Sequence, residues 1–377
     1  MMNVSDTIVI GGGLVGCAVA YGLARQGASV TMLDEGDLAF RAARGNFGLV
    51  WVQGKGFGSA PYARWTRSSA KLWPRLALDL MEESGVDVCL EQPGGLWFTF
   101  SDEEHEQRRI VMQGIQDDLE GDYPFEMLGR QDVLARAPAL GRAVIGASYL
   151  PLDGHANPLK LLRALHTANL RRGVRYVSGQ PVDTIVPQQC AEASLFTVQS
   201  RWQAPRVVLA AGLGNRHLAQ QVGLYAPVVP NRGQVLIGER CARFLDYPTL
   251  FVRQTDEGTV QIGDSMEEVG FNDEVTTDVL ADIARRAVRT FPVLSGLRIV
   301  RAWGALRILS PDGLPIYEES RRYPGAFVAS CHSGVTLAAA HAFHLARWVG
   351  GAPLPDECTA FGGERFLTPH DQLRHVH

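Results

Sequence analysis

The sequence predicts an α/β protein in which a discontinuous Rossmann-type domain is interleaved with a second domain. Three observations carry this. An apolar strand, Ile8-Val9-Ile10, runs into Gly11-x-Gly13-x-x-Gly16 and a helix of small residues. Strand–helix alternation returns in the middle of the chain and at its end. Between these stretches lie segments with alternating polarity and turn signals, as an antiparallel or mixed sheet requires. The expected division places residues 1–87, 151–222 and 304–377 in the nucleotide-binding domain, and 88–150 and 223–303 in the second.

Ile8–Ile10 has the uninterrupted apolarity of a strand buried inside a parallel sheet. Leu14–Arg25 suits a helix packed closely on that sheet, Gly27 ends it, and Ser29–Leu33 reads as the next strand before Asp34-Glu35. Residues 36–60, rich in glycine, read as a long functional loop. Helices are expected over 62–84, over Asp102–Asp118 and over Leu159–Arg171, with a strand at Gly94–Phe100. Short strands are expected at Arg175–Val177 and Val182–Ile185, and Arg206–Gly212 repeats the strand-into-glycine pattern. Val275–Arg289 reads as a charged helix. Ala326–Ala329 reads as a buried strand leading into a helix over Gly334–Val349.

Composition narrows the function. The 377 residues, 46% hydrophobic and 20% charged, are those of an ordinary globular chain with two domains. Lys and Arg number 36 against 40 Asp and Glu, a net charge of −4 that argues against nucleic-acid or anionic-membrane partners. Cys17, Cys89, Cys190, Cys241, Cys331 and Cys358 form no C-x-x-C pair, so no metal site is expected and reduced thiols in the cytoplasm are. Thr7–Ala24 is nearly free of polar residues, yet it lacks a basic leader and is broken by Gly11–Gly13, so no membrane segment is expected.

Each part of the glycine fingerprint has a physical task. Gly11 permits a tight turn, Gly13 lets a pyrophosphate approach the backbone, and Gly16 lets helix and strand pack closely. The amides of Leu14 and Val15 open a helix N-terminus that favours phosphate. Asp34 or Glu35, ending the second strand, can accept from ribose hydroxyls. Adenine-dinucleotide binding follows; FAD and NAD stay open on this motif alone.

Five stretches together resemble the D-amino-acid oxidase-like flavoproteins, a family including glycine and sarcosine oxidases. They are the fingerprint; Gly45-Asn46-Phe47-Gly48-Leu49-Val50; Val207–Gly214; Trp303–Arg307 with Pro311–Pro315; and His332-Ser333-Gly334-Val335-Thr336. The wording of 45–54 and 331–337 is closest to flavin subunits of opine oxidases and D-hydroxyproline dehydrogenases. The resemblance implies FAD, and makes the two expected domains an FAD-binding domain and a substrate domain. It places Val182 at the adenine, Ala211-Gly212 at the pyrophosphate, and the Arg41–Gly48 loop around phosphates and ring. Arg41 and Arg44 are then phosphate partners or simply solvent-exposed. Ala305 stands where covalent sarcosine oxidases carry a cysteine, so the FAD is expected to be non-covalent.

Flavin chemistry gives these residues roles. A helix N-terminus at Ser333–Thr336 would stabilise negative charge on the reduced ring; Ser333 can equally be a plain helix cap. His332 is a flavin contact or a packed histidine. By the resemblance, Arg307 holds the substrate carboxylate with a bidentate fork; the alternative is pairing with a structural acid such as Asp312. Trp51, Phe251 and Trp303 line the substrate pocket or are core. Gln261 occupies the place where monomeric sarcosine oxidases carry an oxygen-activating lysine, which predicts dehydrogenase behaviour. The expected reaction is oxidation of an amino- or secondary-amino-acid C–N bond, within a larger heteromeric complex. The competing readings are a peroxide-forming oxidase, an NAD-dependent dehydrogenase and a non-catalytic flavin relay subunit.

Overall fold

Ile8 and Val9 are fully buried and Ile10 is 3% exposed because strand Thr7–Ile10 lies between two parallel neighbours, Arg206–Leu209 and Val30–Leu33. The structure, a computed structural model, describes residues 2–36, 42–190 and 193–367. The central sheet has six strands. Their order is Ile316–Glu319, Ala326–Ser330, Arg206–Leu209, Thr7–Ile10, Val30–Leu33 and Arg175–Val177, with only the first antiparallel to its neighbour. The chain therefore reaches this sheet from its beginning, middle and end.

Helix Leu14–Arg25 begins at Gly13 and packs on the sheet. Gly16 is required there: a Cβ would come within 1.9 Å of the Gly11 carbonyl oxygen. The C-terminal helix is not a uniform α-helix. It runs Ala338–Ala340, passes through a π-helical turn at His341–Leu345 and resumes at Ala346–Val349. The turn brings the Ala342 carbonyl so close to Gly22 that a Cβ would stand 2.1 Å from its oxygen.

A second, antiparallel sheet has the order Val252–Gln254, Thr259–Ile262, Val229–Arg240 and Ile299–Leu309. One face packs on helix Thr277–Thr290 through Leu236, Val260, Ile262, Ile283 and Ala287. Strands Gly95–Thr99, Gly146–Leu150 and Glu126–Gly129 form a smaller sheet joined to it by the Leu96 amide on the Pro248 carbonyl, 3.1 Å. Strand Ile299–Leu309 runs unbroken through 303 and 304, the boundary expected from the sequence.

Several elements follow the sequence closely, among them Leu14–Arg25, Asp102–Asp118 and Arg175–Val177. Two differ. Val182 lies in a loop, and the strand starts only at Ile185, whose amide bonds the Gln221 side chain at 2.8 Å. Residues 334–337 form a turn ahead of the helix, because Leu337 N–H bonds Ser333 O while Ala338 N–H takes the nearer Val335 O. No helix among the described residues is long and apolar enough to cross a membrane.

His341, in the π turn, is fully buried with Nε2 2.7 Å from the Tyr317 hydroxyl. Burial pushes its pKa down to about 3. The unfolded chain binds a proton below roughly pH 6.5 that the native state refuses, so stability is lost as pH falls from there toward 3. His341→Gln should flatten this acid limb by up to about 1.4 kcal/mol per pH unit. Urea midpoints at pH 7, 6 and 5 measure it, and equal slopes for both proteins would reject the assignment.

Candidate active site

A cavity of about 670 Å³ opens along the ends of the central strands. Its walls include Gly11, Gly13, Leu14, Val15, Asp34, Glu35, Asn46, Val182, Ala211, Gly212, His332 and Gly334, all singled out in the sequence. Sequence reasoning missed Leu306, Ile308 and Cys331, which also face it. The lining fits a dinucleotide. Helix Leu14–Arg25 has no side-chain cap and no acid in its first turn, so the amides of Leu14, Val15 and Gly16 stay available to an anion. A Cβ on Gly13 would meet only Ala43, at 3.8 Å, which leaves room for close approach. Asp34 Oδ2 accepts from Gly12 N–H at 2.7 Å and Oδ1 from Gly36 N–H at 2.8 Å. The carboxylate thus braces the turn while keeping lone pairs for a ligand.

Gly45, Phe47 and Gly48 stand outside these walls. Gly45 abuts Trp303 and Ala305, and its carbonyl accepts from Trp303 Nε1 at 3.3 Å. Phe47 packs on Gly263, and Gly48, at φ +89°, admits the Ala156 carbonyl. Arg44 lies beside the cavity-lining Ala42 and Ala43 in the same turn. Arg41 lies outside the described residues.

Arg307 sits between the cavity-lining Leu306 and Ile308, with its side chain turned to the opposite face of the strand. Nη1 donates to Ser265 O at 2.7 Å and Asn231 Oδ1 at 3.2 Å, and Nη2 bonds the Asp264 carboxylate. The structural acid is therefore Asp264. Asp312 is taken by Arg365 at 2.8 Å. Three of five guanidinium N–H groups are engaged, which leaves two donors among the described residues for a carboxylate.

The run after strand Ala326–Ser330 divides its side chains between two sides. His332 and Gly334 face the cavity; Ser333 points the other way, onto Lys55 Nζ and, at 3.0 Å, the Tyr62 hydroxyl. Val335 is buried, and its carbonyl accepts from Trp73 Nε1 at 3.1 Å. Thr336 Oγ1 accepts from Trp51 N–H at 3.1 Å and donates to Leu49 O at 3.3 Å. Among the described residues nothing accepts from the amides of Gly334, Val335 and Thr336, so they are available to a ligand. His332 is exposed toward the cavity, yet desolvation by the protein packed around it, then the charges of Lys55 and Arg307, hold it well below the ordinary imidazole pKa. It is neutral at pH 7.

Gln261 is 7% exposed, and its Oε1 accepts from Arg253 Nε at 2.6 Å. The position is thus neutral but has a cationic neighbour the sequence did not reveal. Arg253 is 2% exposed, donates to His155 Nδ1 at 3.0 Å and stacks over Phe47 at 5.9 Å. Burial lowers its pKa to about 10, so it stays charged at neutral pH. The three expected pocket aromatics occupy different places. Trp51 is 4% exposed against Gly95, and Trp303 covers Gly45. Phe251 lies in a separate surface cavity with Trp97 and Phe100, its ring 3.7 Å from the Arg286 guanidinium.

Missing the brace on Gly12 and Gly36, Asp34→Ala should bind its dinucleotide roughly 10- to 100-fold more weakly, as loss of a hydrogen-bonded charge implies. Cofactor content after dialysis checks this, and full retention would contradict the bracing role.

Comparison with known proteins converges on the same chemistry. The family model described as FAD dependent oxidoreductase matches residues 6–348. An opine oxidase subunit of Agrobacterium tumefaciens (strain Ach5) is 44% identical over 365 residues, covering 96% of this chain and 97% of that one. The corresponding opine oxidase subunit of Rhizobium meliloti is 45% identical with the same coverage. The crystal structure of glycine oxidase from Geobacillus kaustophilus shares the fold, with a TM-score of 0.88 at 23% identity, covering 98% of this chain and 100% of the other. The glycine turn, the cavity and the match over nine-tenths of the chain agree: this protein belongs to the FAD dependent oxidoreductase family and is an oxidoreductase with FAD as its cofactor.

Proposed function

We propose that the protein oxidises the C–N bond of an amino acid, with a secondary amine of the opine type as the preferred substrate class. We further propose that it works as one subunit of a larger dehydrogenase. The observation that carries this reading is Arg307, an ion-paired guanidinium on the strand that also lines the cofactor cavity, with donors left for a carboxylate. Two relatives are named as subunits of opine oxidases, which supports both the substrate class and the partner subunit. The central sheet serves FAD, and the antiparallel sheet presents Arg307 to the substrate.

Bound FAD, held without a covalent link, supplies a two-electron acceptor. Arg307 fixes the substrate carboxylate and so turns the α-hydrogen toward that acceptor. The α C–H pair leaves as hydride while the nitrogen lone pair forms the C=N bond, so the amine must enter neutral. Desolvation beside Arg307 and Lys55 lowers the pKa of that amine, and no side chain is required as base. Neutral His332 adds no competing charge and can hydrogen-bond substrate or cofactor. The unpaired amides at Gly334–Thr336 steady developing negative charge. Gln261 in place of a cationic lysine favours an acceptor other than O₂, since the neighbouring cation, Arg253, is turned to Gln261 and His155 and stands outside the cofactor cavity.

Anaerobic mixing with octopine, nopaline, D-hydroxyproline, D-proline, sarcosine and glycine should bleach the flavin fastest with a secondary-amine acid. Arg307→Met should cost about 2–5 kcal/mol in kcat/KM, at least 30-fold. Undiminished bleaching in that variant would remove the carboxylate clamp. Stoichiometric peroxide at high aerobic rate would make the protein an oxidase instead.

A further inference from the structure

The reaction above leaves one cation at the site without a defined task on the cofactor. Lys55 lies in the loop after strand Leu49–Val50. Its ammonium donates to Ser333 Oγ and stands 5.9 Å from the centre of the Tyr62 ring. A lysine ammonium can only donate, so Ser333 Oγ accepts from it and has the Tyr62 hydroxyl as its second partner. Lys55 makes no ion pair among the described residues. Two acidic groups act on it: the Cys331 thiol, which burial pushes up to about 12, and Asp153, whose carboxyl is spent on Val52 N–H at 2.5 Å and Gln53 Nε2 at 2.7 Å.

This charge stands immediately behind a cavity wall. The residues on either side of Ser333, His332 and Gly334, both face the cavity. The charge is also felt on the far side, where Lys55 and Arg307 together depress the His332 pKa beyond what burial does. Among the described residues no carboxylate is paired to Lys55 to cancel its field, and the surrounding protein screens it less than water does.

We propose that Lys55, anchored on Ser333 behind the His332–Gly334 wall, is a fixed positive charge that favours the reduced form of bound FAD and sets its reduction potential. This rests on the FAD chemistry of the family. Two-electron reduction adds negative charge to the ring, and a preorganised cation lowers the free energy of the product. Lys55 acts across Ser333, so it is a positioning charge. Burial lowers its own pKa to about 8, so the effect should fade as pH rises through that value.

Sulfite, which adds to oxidised flavin and leaves it anionic, reports this field without any substrate. Lys55→Met, with FAD content matched to wild type, should raise the sulfite dissociation constant at least tenfold. Its two-electron potential should fall by about 30 mV for each tenfold change. Lys55→Arg should stay within threefold of wild type. In the unaltered holoenzyme, affinity for the sulfite dianion should decline as pH rises through 8. A Met variant with normal FAD content and unchanged sulfite affinity and potential overturns the proposal. If that variant fails to hold FAD, a wild-type affinity that stays flat between pH 7 and 9.5 overturns it equally. Neither measurement involves turnover, so an error in the substrate class would leave this result intact.

Discussion

The hydroxyl of Thr336 ties the N-terminal third of the chain to its C-terminal strand and turn. It accepts from Trp51 N–H and donates to Leu49 O, pinning the loop that carries Lys55 across the turn that follows the central sheet. The carbonyls of this turn are used behind it: Trp73 Nε1 donates to Val335 O and Thr336 O, and Ser69 Oγ donates to Thr336 O at 2.6 Å. With acceptors committed to helix Ala60–Ser84, the turn leaves its Gly334–Thr336 amides without an acceptor among the described residues, and Gly334 lines the cavity. Asp153 completes the clamp from the other side by accepting from the Val52 and Gln53 amides. Its burial raises its pKa to about 7, a sign that the site is desolvated enough for electrostatics to matter.

Arg307 shows how the protein holds a cation without spending it. A part-buried guanidinium with no partner would collapse onto any nearby acceptor. Here Asp264, Ser265 O and Asn231 fix its plane. The side chains of the ion pair are 17% and 35% exposed. A pair that wet is worth about 0–1 kcal/mol, little enough for a substrate carboxylate to share the guanidinium. The 264–265 segment is itself anchored, because Arg286 donates to Gly263 O at 2.6 Å and Asp264 O at 2.8 Å. Rigidity at Arg307 therefore derives from helix Thr277–Thr290, on the far side of the antiparallel sheet.

What the sequence disclosed follows from locality. Gly11, at φ +111°, and Gly16, against the Gly11 carbonyl, serve one local turn, so spacing reveals them even though Ala210 also crowds Gly11 from afar. The bounds of Leu14–Arg25 were legible for the same reason. Lys55, Asp264 and Arg253 owe much of their environment to partners far along the chain, Lys55 to Ser333, 278 residues away, and Arg253 to His155, 98 residues away. No local pattern marks them; a lysine between glycines reads as solvent-exposed loop. Val182 failed as a strand because apolar residues beside a cavity resemble apolar residues in a sheet. The aromatics Trp51, Phe251 and Trp303 failed as one wall because residue type reports burial but not which surface is shared. The π turn at His341–Leu345 leaves no trace in periodicity, since one extra residue per turn barely shifts an all-apolar helix face.

Charge around the cavity explains why these partly hidden groups belong together. Arg307 and Lys55 both act on His332, while Asp153, the buried acid that acts on Lys55, is itself driven toward neutrality by desolvation. Protonating His332 would add a third positive charge near two others, and the imidazole yields before either cation does. At pH 7 the neutral His332 imidazole therefore stands under the influence of two cations, Arg307 and Lys55. In the proposed scheme a carboxylate arriving at Arg307 would cancel one charge, and electrons arriving on the cofactor would be met by the other. Binding and reduction would then draw on separate cations, and the substrate's negative charge would not oppose the electron transfer it sets up.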